Sequence, residues 1–558
     1  MIRDDQNPSI AMRFGWQLRL AGFVAIALLV VAMVGVQDPG RTGLTLSSAP
    51  PEGGSPHTTA AVPDESKLFR DWPNKPPDVA LVLSGQMHGY YHPCGCSRPQ
   101  FGGLERRWNF VKALELKGWP VVAVDLGDVF DEPKKRSPQY MVKYRTSMEA
   151  MKLIGYSGVG IGEYEMNVPL INALAEYALN NKKPPVIATN LVDPQKIYAD
   201  MVFPSTLASK DGMPKVGVAH IVGPSVKEKV KPTVAFGDTQ EKLPKAYKEL
   251  QGQGAEIFVL LYQGTTTEAE ACARWAADEN EAKKANRSTI PFHVVLCLSE
   301  EEEPSNKPKK VGDTLVIHVG HKGRYVGVVA VYRTGAPLKP LELRYELVAM
   351  TETYETPKGQ DKANPILGLF EEYAKEVKRD DYLIRFPKNK HPVQLLVPQA
   401  EYVGSDRCQK CHPDAFQVWK NHPHAHAYKT LVEATRPSLR QFDGECIVCH
   451  TVGFQHEKGF QNEKATPLLI DVGCESCHGP GSHHIKNPND MKIRDLMNPF
   501  RHDDNESAAV RKKRLDRIDQ SCQQCHDADN DVHWDFKKKW PKVVHEDLFN
   551  KPGPRKNP

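Results

Sequence analysis

Four short stretches in the last third of the chain carry residue types at a spacing suited to one kind of chemistry. They are Cys408-Gln-Lys-Cys411-His412, Cys446-Ile-Val-Cys449-His450, Cys474-Glu-Ser-Cys477-His478 and Cys522-Gln-Gln-Cys525-His526. Cys-x-x-Cys-His is the attachment signature of c-type haem. The two thiols form thioethers to the haem vinyl groups, and the adjacent imidazole is held under the iron as its proximal ligand. Zinc held by four cysteines is the other chemistry open to paired thiols. It leaves the histidine after each second cysteine without a role. The expected cofactor is therefore four covalently bound haem c, with His412, His450, His478 and His526 as proximal ligands.

The segment that positions these motifs, residues 399–550, is rich in Lys, His and Asp and poor in apolar side chains. Porphyrin must supply much of its core, as metals and disulfides do in other small scaffolds. Distal iron ligands must come from histidines outside the motifs. Candidates are His422, His424, His426, His456, His483, His484, His502, His533 and His545, and spacing does not choose among them.

The whole chain has 558 residues, enough for several domains, and a formal charge of +4 that gives no argument for nucleic acid as a partner. Residues 1–18 are polar with scattered arginines, and Leu20–Val36 is an unbroken apolar run. With its flanks, 19–37, it can just cross a bilayer core of roughly 30 Å. The preceding arginines place the N-terminus in the cytoplasm and the rest on the periplasmic side. A cleaved signal peptide is the competing reading. Met33-Val34-Gly35-Val36 suits a cleavage site poorly, so a single-pass anchor in the cytoplasmic membrane is preferred. Either way the chain is exported. Residues 38–77 are rich in Pro, Gly, Ser and Thr and form a tether.

From 78 to 350 apolar runs alternate with helical periodicity. Strands are expected at Val79–Leu83, Val121–Asp125, Val186–Thr189, Val216–Ile221, Ile257–Leu261, His293–Leu298, Thr314–Val319 and Val326–Tyr332. Helices are expected at Leu104–Leu116, Tyr140–Ile154, Leu170–Leu179, Pro244–Leu250 and Thr267–Ala277. The alternation indicates an α/β domain with parallel strands, whose functional groups gather at the carboxyl ends of those strands. Residues 351–398 hold an amphipathic helix, Leu367–Val377, and a proline-rich bridge; 551–558 is a basic tail.

Those strand ends carry Gln86-Met87-His88-Gly89, Gly102-Gly103-Leu104-Glu105-Arg106, Gly127-Asp128, Gly162-Glu163-Tyr164-Glu165 and Thr189-Asn190. In order and spacing the series resembles the calcineurin-like metallophosphoesterases, particularly their 5′-nucleotidase branch. That resemblance implies two metal ions activating a hydroxide on a phosphate ester. Carried over residue by residue, His88 and Asp128 keep the ligand types. The first Asp falls on Gln86, the Asn-His pair on Glu163-Tyr164, a later His on Gln263, and the closing Gly-His-x-His on Cys297-Leu298-Ser299-Glu300. The resemblance thus implies the fold with a degraded dinuclear site. His88, His92, Cys94 and Cys96, with Asp128, form a possible replacement metal site. Pairing of Cys94 or Cys96 with Cys272 or Cys297 in a disulfide is the alternative.

The haem segment resembles the tetrahaem cytochrome c-554 family through Trp419, Pro423-His424-Ala425-His426-Ala427-Tyr428, Cys449-His450-Thr-Val-Gly-Phe454 and Gly473-Cys474-Glu-Ser-Cys477-His478-Gly-Pro-Gly481. The resemblance implies distal ligands at His424, His484 (with His483 as rival) and His545, and an open distal side on the His450 haem. His456, six residues on, competes for that position. The expected architecture is an α/β metallophosphoesterase-like sandwich followed by a small, mainly α-helical and irregular multihaem cytochrome c domain. The expected function is electron transfer with unidentified redox partner proteins, for which the lysines at 537–539 and 542 offer a basic surface. An oxidoreductase acting on a small nitrogen or sulfur species at an open haem, and an active phosphoesterase, are the alternatives.

Overall fold

The computed structural model describes residues 68–545, apart from 94–96, 134–135, 231–233, 338, 499 and 502–504. The expected membrane anchor, most of the tether, His502, the basic tail and both cysteines of the 94–96 loop lie outside the described residues. Among the described residues, no helix is long and apolar enough to cross a membrane.

The α/β part is built from two face-to-face sheets. The first runs Leu341–Ala349, Tyr325–Arg333, Val79–Ser84, Val121–Asp125, Tyr156–Gly160, Val186–Ile187, Val202–Phe203 from edge to edge. The second runs Lys309–Val311, Thr314–Ile317, Val294–Cys297, Ile257–Gln263, Val216–Val222, Ser205–Ala208. Central strands are buried along their whole length, as their near-continuous Val, Ile and Leu content requires. Val79, Leu81, Leu83, Val122 and Val124 of the first sheet meet Val218, Val259, Leu261, Leu296 and Ile317 of the second in one core.

Helices Leu104–Leu116 and Tyr140–Ile154 cover the outer face of the first sheet, and Thr239–Gly252 and Thr266–Ala277 that of the second. The result is a four-layer sandwich. The helix expected at Leu367–Val377 spans Pro365–Arg379 and lays Ile366, Phe370, Tyr373 and Val377 into the core of the first sheet.

The sheets are mixed rather than wholly parallel. Tyr325–Arg333 pairs antiparallel with both Val79–Ser84 and Leu341–Ala349, and Ser205–Ala208 pairs antiparallel with Val216–Val222. Leu341–Ala349 is a half-exposed edge strand with charges along it, which masked its apolar pattern. Tyr156–Gly160 was hidden by two glycines that the packing demands. A Cβ at Gly158 would meet Ile187 Cδ1 at 2.4 Å, and one at Gly160 would meet the Leu126 carbonyl at 2.3 Å.

The haem segment has only small apolar clusters of its own. One gathers Leu383, Tyr402, Tyr428, Ile447, Phe454 and Phe460, another Val393, Ala400 and Ile493. Ile384, Leu395, Leu468 and Met491 stay 50–80 % exposed.

Beneath the α/β strand ends lies a fully buried charged group. Arg107 donates to Ser84 Oγ at 3.2 Å and Tyr156 Oη at 3.0 Å, and stands 3.8 Å from Asp125. Removing one member of a buried pair leaves its partner uncompensated. Arg107→Met should lower the unfolding free energy by about 3–5 kcal/mol, measured by denaturant titration of the intact chain. A loss below about 1 kcal/mol would mean Asp125 is neutral in the native state.

Candidate functional site

Each Cys-x-x-Cys-His stretch is close to one helical turn. His412 N–H donates to the Cys408 carbonyl at 2.9 Å, and His526 N–H to that of Cys522 at 3.0 Å. The second and third motifs lie in helices Gly444–His450 and Cys474–His478. Positions i, i+3 and i+4 of such a turn share one face. Both thiols and the imidazole therefore point to the same side, as attachment and ligation of one porphyrin require.

Three of the four motif imidazoles have their Nδ1 engaged. His450 donates to the Ala427 carbonyl at 2.6 Å, His478 to the Met497 carbonyl at 2.6 Å, and His526 to Asp531 Oδ2 at 2.9 Å. These acceptors fix the tautomer that leaves Nε2 with its lone pair free for a metal. Burial, opposed by the Ala427 carbonyl, pushes the His450 pKa down; burial likewise lowers that of His478.

The motif histidines are brought against others from distant chain. His412 and His484 have ring centres 6.2 Å apart, His424 and His526 6.0 Å, and His478 and His545 6.1 Å. An imidazole nitrogen stands roughly 2 Å from a first-row metal that it ligates, with its ring centre about 1 Å beyond, so two rings flanking one ion have centres roughly 6 Å apart. Together with the exposed apolar side chains around the motifs, these spacings fit a porphyrin iron between each pair.

His483 is turned away, with Nε2 3.0 Å from Asp490 Oδ2, whereas His484 Nδ1 is buried without a hydrogen-bond partner. His456 stands against His391, ring centres 5.2 Å apart, not against His450. His422 accepts the His424 N–H, His426 is exposed, and His533 donates to the Arg98 carbonyl. Among the described residues no second imidazole faces His450 as in the three pairs.

Thiols of different motifs also adjoin. Cys408 contacts Cys474, Cys449 contacts Cys525, and Cys477 lies within electrostatic range of Cys522 and Cys525.

At the strand ends of the sandwich, polar groups bond one another, although Gln263 Oε1 and both His220 ring nitrogens are buried without a partner. Gln86 accepts the Ser299 N–H at 2.7 Å and donates to its carbonyl at 3.2 Å. Asp128 accepts the Tyr164 N–H at 2.9 Å and a bond from the Gln263 amide. Glu165 takes the N–H groups of Asp128, Val129, Phe130 and Gly162 at 2.6–3.0 Å. Asn190 bonds Val222 through both ends of its amide. Gln86, His88 and Asp128 nonetheless keep left-handed backbone, φ 49°, 51° and 58°, a conformation costing about 1–3 kcal/mol per non-glycine residue.

Of the grouping His88, His92, Cys94, Cys96 and Asp128, both cysteines lie outside the described residues, and the two histidines have different neighbours. His92 packs edge-on to Tyr91 and beside Phe370, donating Nδ1–H to the Pro93 carbonyl at 2.5 Å; burial pushes its pKa down to about 3. His88 lies instead beside Tyr164 and His321, its ring tilted against both. No group of three or more metal-binding side chains exists among the described residues. Cys272 and Cys297 are buried free thiols.

The haem segment docks on the strand-end loops at two places that the sequence did not signal. Asp529, just after the fourth motif, pairs with Lys322 at 2.8 Å and Arg324 at 2.6 Å. Asp443 and Glu445, just before Cys446, bond Gln139 and Lys143.

A turn carrying Cys-x-x-Cys-His against paired imidazoles defines a c-type cytochrome module. Residues 407–479, which hold the first three motifs, match the family described as cytochrome c554 and c-prime. Cytochrome c-554 of Nitrosomonas europaea is 35% identical over 99 residues, 16% of this chain and 42% of the relative, so the chain spans less than half of that protein. The C-terminal segment is thus cytochrome c554-like, which implies covalently bound haem c. Solved structures similar to the sandwich include a 5′-nucleotidase precursor from Thermus thermophilus, 20% identical, covering 56% of this chain and 61% of that one with a TM-score of 0.42. The calcineurin-like phosphoesterase YfkN from Bacillus subtilis is 14% identical, covering 53% and 97% with a TM-score of 0.39.

Burial, then the neighbouring Glu165 carboxylate, raises the Asp128 pKa to about 8. In an unfolded chain the same group ionises near pH 4. The native state therefore holds the extra proton in between. The contribution is complete below about pH 4 and is lost as pH rises to about 8, at about 1.4 kcal/mol per unit. Asp128→Asn should flatten this fall in urea titrations across the range; an unchanged slope would place the proton elsewhere.

Proposed function

We propose that this chain is an exported, membrane-anchored tetrahaem c-type cytochrome that carries electrons between redox partner proteins. The observation that carries the reading is the set of three imidazole pairs with centres 6.0–6.2 Å apart. In this reading His412 with His484, His526 with His424, and His478 with His545 would each hold one haem iron, and His450 would hold the fourth without a second imidazole. Haem iron supplies one-electron chemistry by cycling between Fe(III) and Fe(II). The protein orients His450, His478 and His526 through their Nδ1 acceptors and brings the attachment thiols of different motifs together. Residues 19–37 would anchor the chain, with the bulk of it on the periplasmic side.

The sandwich serves in this reading as a docking module that has lost its dinuclear metal site. Support comes from the amides of Gln86 and Gln263, which occupy ligand positions and bond Ser299 and Asp128 instead. Neither residue type matches the imidazole and carboxylate donors that a hydrolytic site uses. Phosphoester hydrolysis with added Mn(II) or Zn(II) should stay at the buffer rate. Activity abolished in both His88→Ala and Asp128→Ala would overturn this part.

A haem ligated from one side can bind a small molecule, which leaves room for chemistry at His450 besides relay. The reduced protein should bind one carbon monoxide per chain, with the other three haems six-coordinate and low-spin. His484→Ala should raise the ratio to two, whereas His483→Ala leaves it at one. Four six-coordinate spectra and no carbon monoxide uptake would remove the open position.

A further inference from the structure

Where the second motif meets the sandwich, five stretches of chain converge on one polar junction. The loop after Val121–Asp125 gives Asp131, Ser137 and Gln139, and helix Tyr140–Ile154 gives Lys143. The strand-end loop gives Tyr91, helix Pro365–Arg379 gives Tyr373, and the start of the motif helix gives Asp443 and Glu445. Gln139 Nε2 donates to Asp443 Oδ1 at 2.6 Å and to Tyr373 Oη at 2.7 Å. Tyr373 Oη donates to Asp443 Oδ2 at 3.3 Å. Lys143 Nζ bonds Asp131 Oδ1 at 2.8 Å and Glu445 Oε1 at 3.0 Å, and Ser137 Oγ bonds the same Glu445 oxygen at 2.7 Å.

Three carboxyl groups share a single ammonium here. Asp131, Gln139, Lys143, Tyr91 and Tyr373 are at most 6 % exposed, while Asp443 is half-buried and Glu445 reaches solvent. Asp131 Oδ2 and Gln139 Oε1 are buried with no donor. The junction has more acceptors than donors, and an added proton relieves that. The direction of the Gln139 amide is set by its neighbours. Turned over, its oxygen can accept from a protonated Asp443. Arg440 and His92 are the remaining charged or titratable neighbours, Arg440 acting on both His92 and His450.

Asp443 is also tied to the haem attachment point. Its side chain accepts the Glu445 N–H at 2.9 Å and its carbonyl accepts the Cys446 N–H at 3.0 Å. We propose that Asp443 is a redox-linked proton site, taking up a solvent proton when the haem attached at Cys446 and Cys449 accepts an electron. One electron from a reduced partner protein converts Fe(III) to Fe(II), one proton from water adds to an Asp443 carboxyl oxygen, and no covalent bond breaks. The inference rests on the proposed haem at the second motif. An electron on that haem raises the proton affinity of a nearby carboxylate, and by reciprocity the proton favours reduction. Burial, then Glu445, already lifts the Asp443 pKa to about 6. Coupling therefore operates as pH rises above that value. Asp529 at the other docking point provides a contrast, since it is paired with two cations.

The test is a redox titration of the intact holoprotein from about pH 5 to about pH 9, followed optically and by EPR. One haem should lose up to a factor of ten in its reduction equilibrium per pH unit above about pH 6, which is 59 mV for a one-electron couple. Asp443→Asn should flatten that slope, and Asp529→Asn should leave it. Redox-difference infrared spectra of the wild type need no variant and should show a protonated carboxyl band appearing on reduction. A slope that survives Asp443→Asn, or reduction without that band, overturns the proposal. Peptide mass separates the two levels of the reading. A second motif without haem overturns both, whereas haem in place with a pH-independent potential overturns the proton site alone.

Discussion

Everything in the last third depends on how one helical turn distributes three side chains. Cysteines at i and i+3 and a histidine at i+4 leave the backbone on the same side, so a turn of five residues presents a complete half-site. The turn cannot supply the opposite half. Opposite the motif imidazoles stand His424, His484 and His545, each far along the chain from the motif it faces. A segment with clusters as small as Val393, Ala400 and Ile493 cannot fix such distances by apolar packing alone. Buried carboxylates do part of that work. Glu475, inside the third motif, accepts the N–H groups of Val403, Gly404 and Gly481 and ties the segment's entry to that motif.

The sandwich shows the opposite economy. Its core is continuous and its strand ends keep backbone shapes that non-glycine residues adopt at a cost, as at Asp128. The side chains there bond one another. Gln86 bridges to Ser299, Gln263 to Asp128, and Asn190 to Val222, so they act as struts. The haem segment then covers this end of the sheets, joined through Asp529 on one side and through Asp443 and Glu445 on the other.

Much of the fold was legible because buried strands such as Val121–Asp125 and Val216–Val222 are continuous apolar runs. Tyr156–Gly160 was not, since the glycines that let it approach Leu126 and Ile187 break the pattern used to find strands. The edge strand Leu341–Ala349 was missed because one side faces water and carries charges. The motifs were legible because attachment is local. The partner imidazoles were not legible from spacing, since His483 and His484 are neighbours in sequence and only one of them turns toward His412. Nearness in sequence suggested a common centre for His88, His92 and the 94–96 cysteines; among the described residues His92 packs beside Tyr91 and Phe370 while His88 faces Tyr164 and His321.

The order in which the attachment thiols adjoin differs from their order in the chain. Cys408 touches Cys474, Cys477 lies near Cys522 and Cys525, and Cys525 touches Cys449. In space the succession is first, third, fourth, second. The second motif, early in sequence, is thereby a terminus of the row, and it is the terminus seated on the sandwich. In the proposed relay, charge entering at the first motif would reach the His450 position last, with the other three behind it as a reservoir.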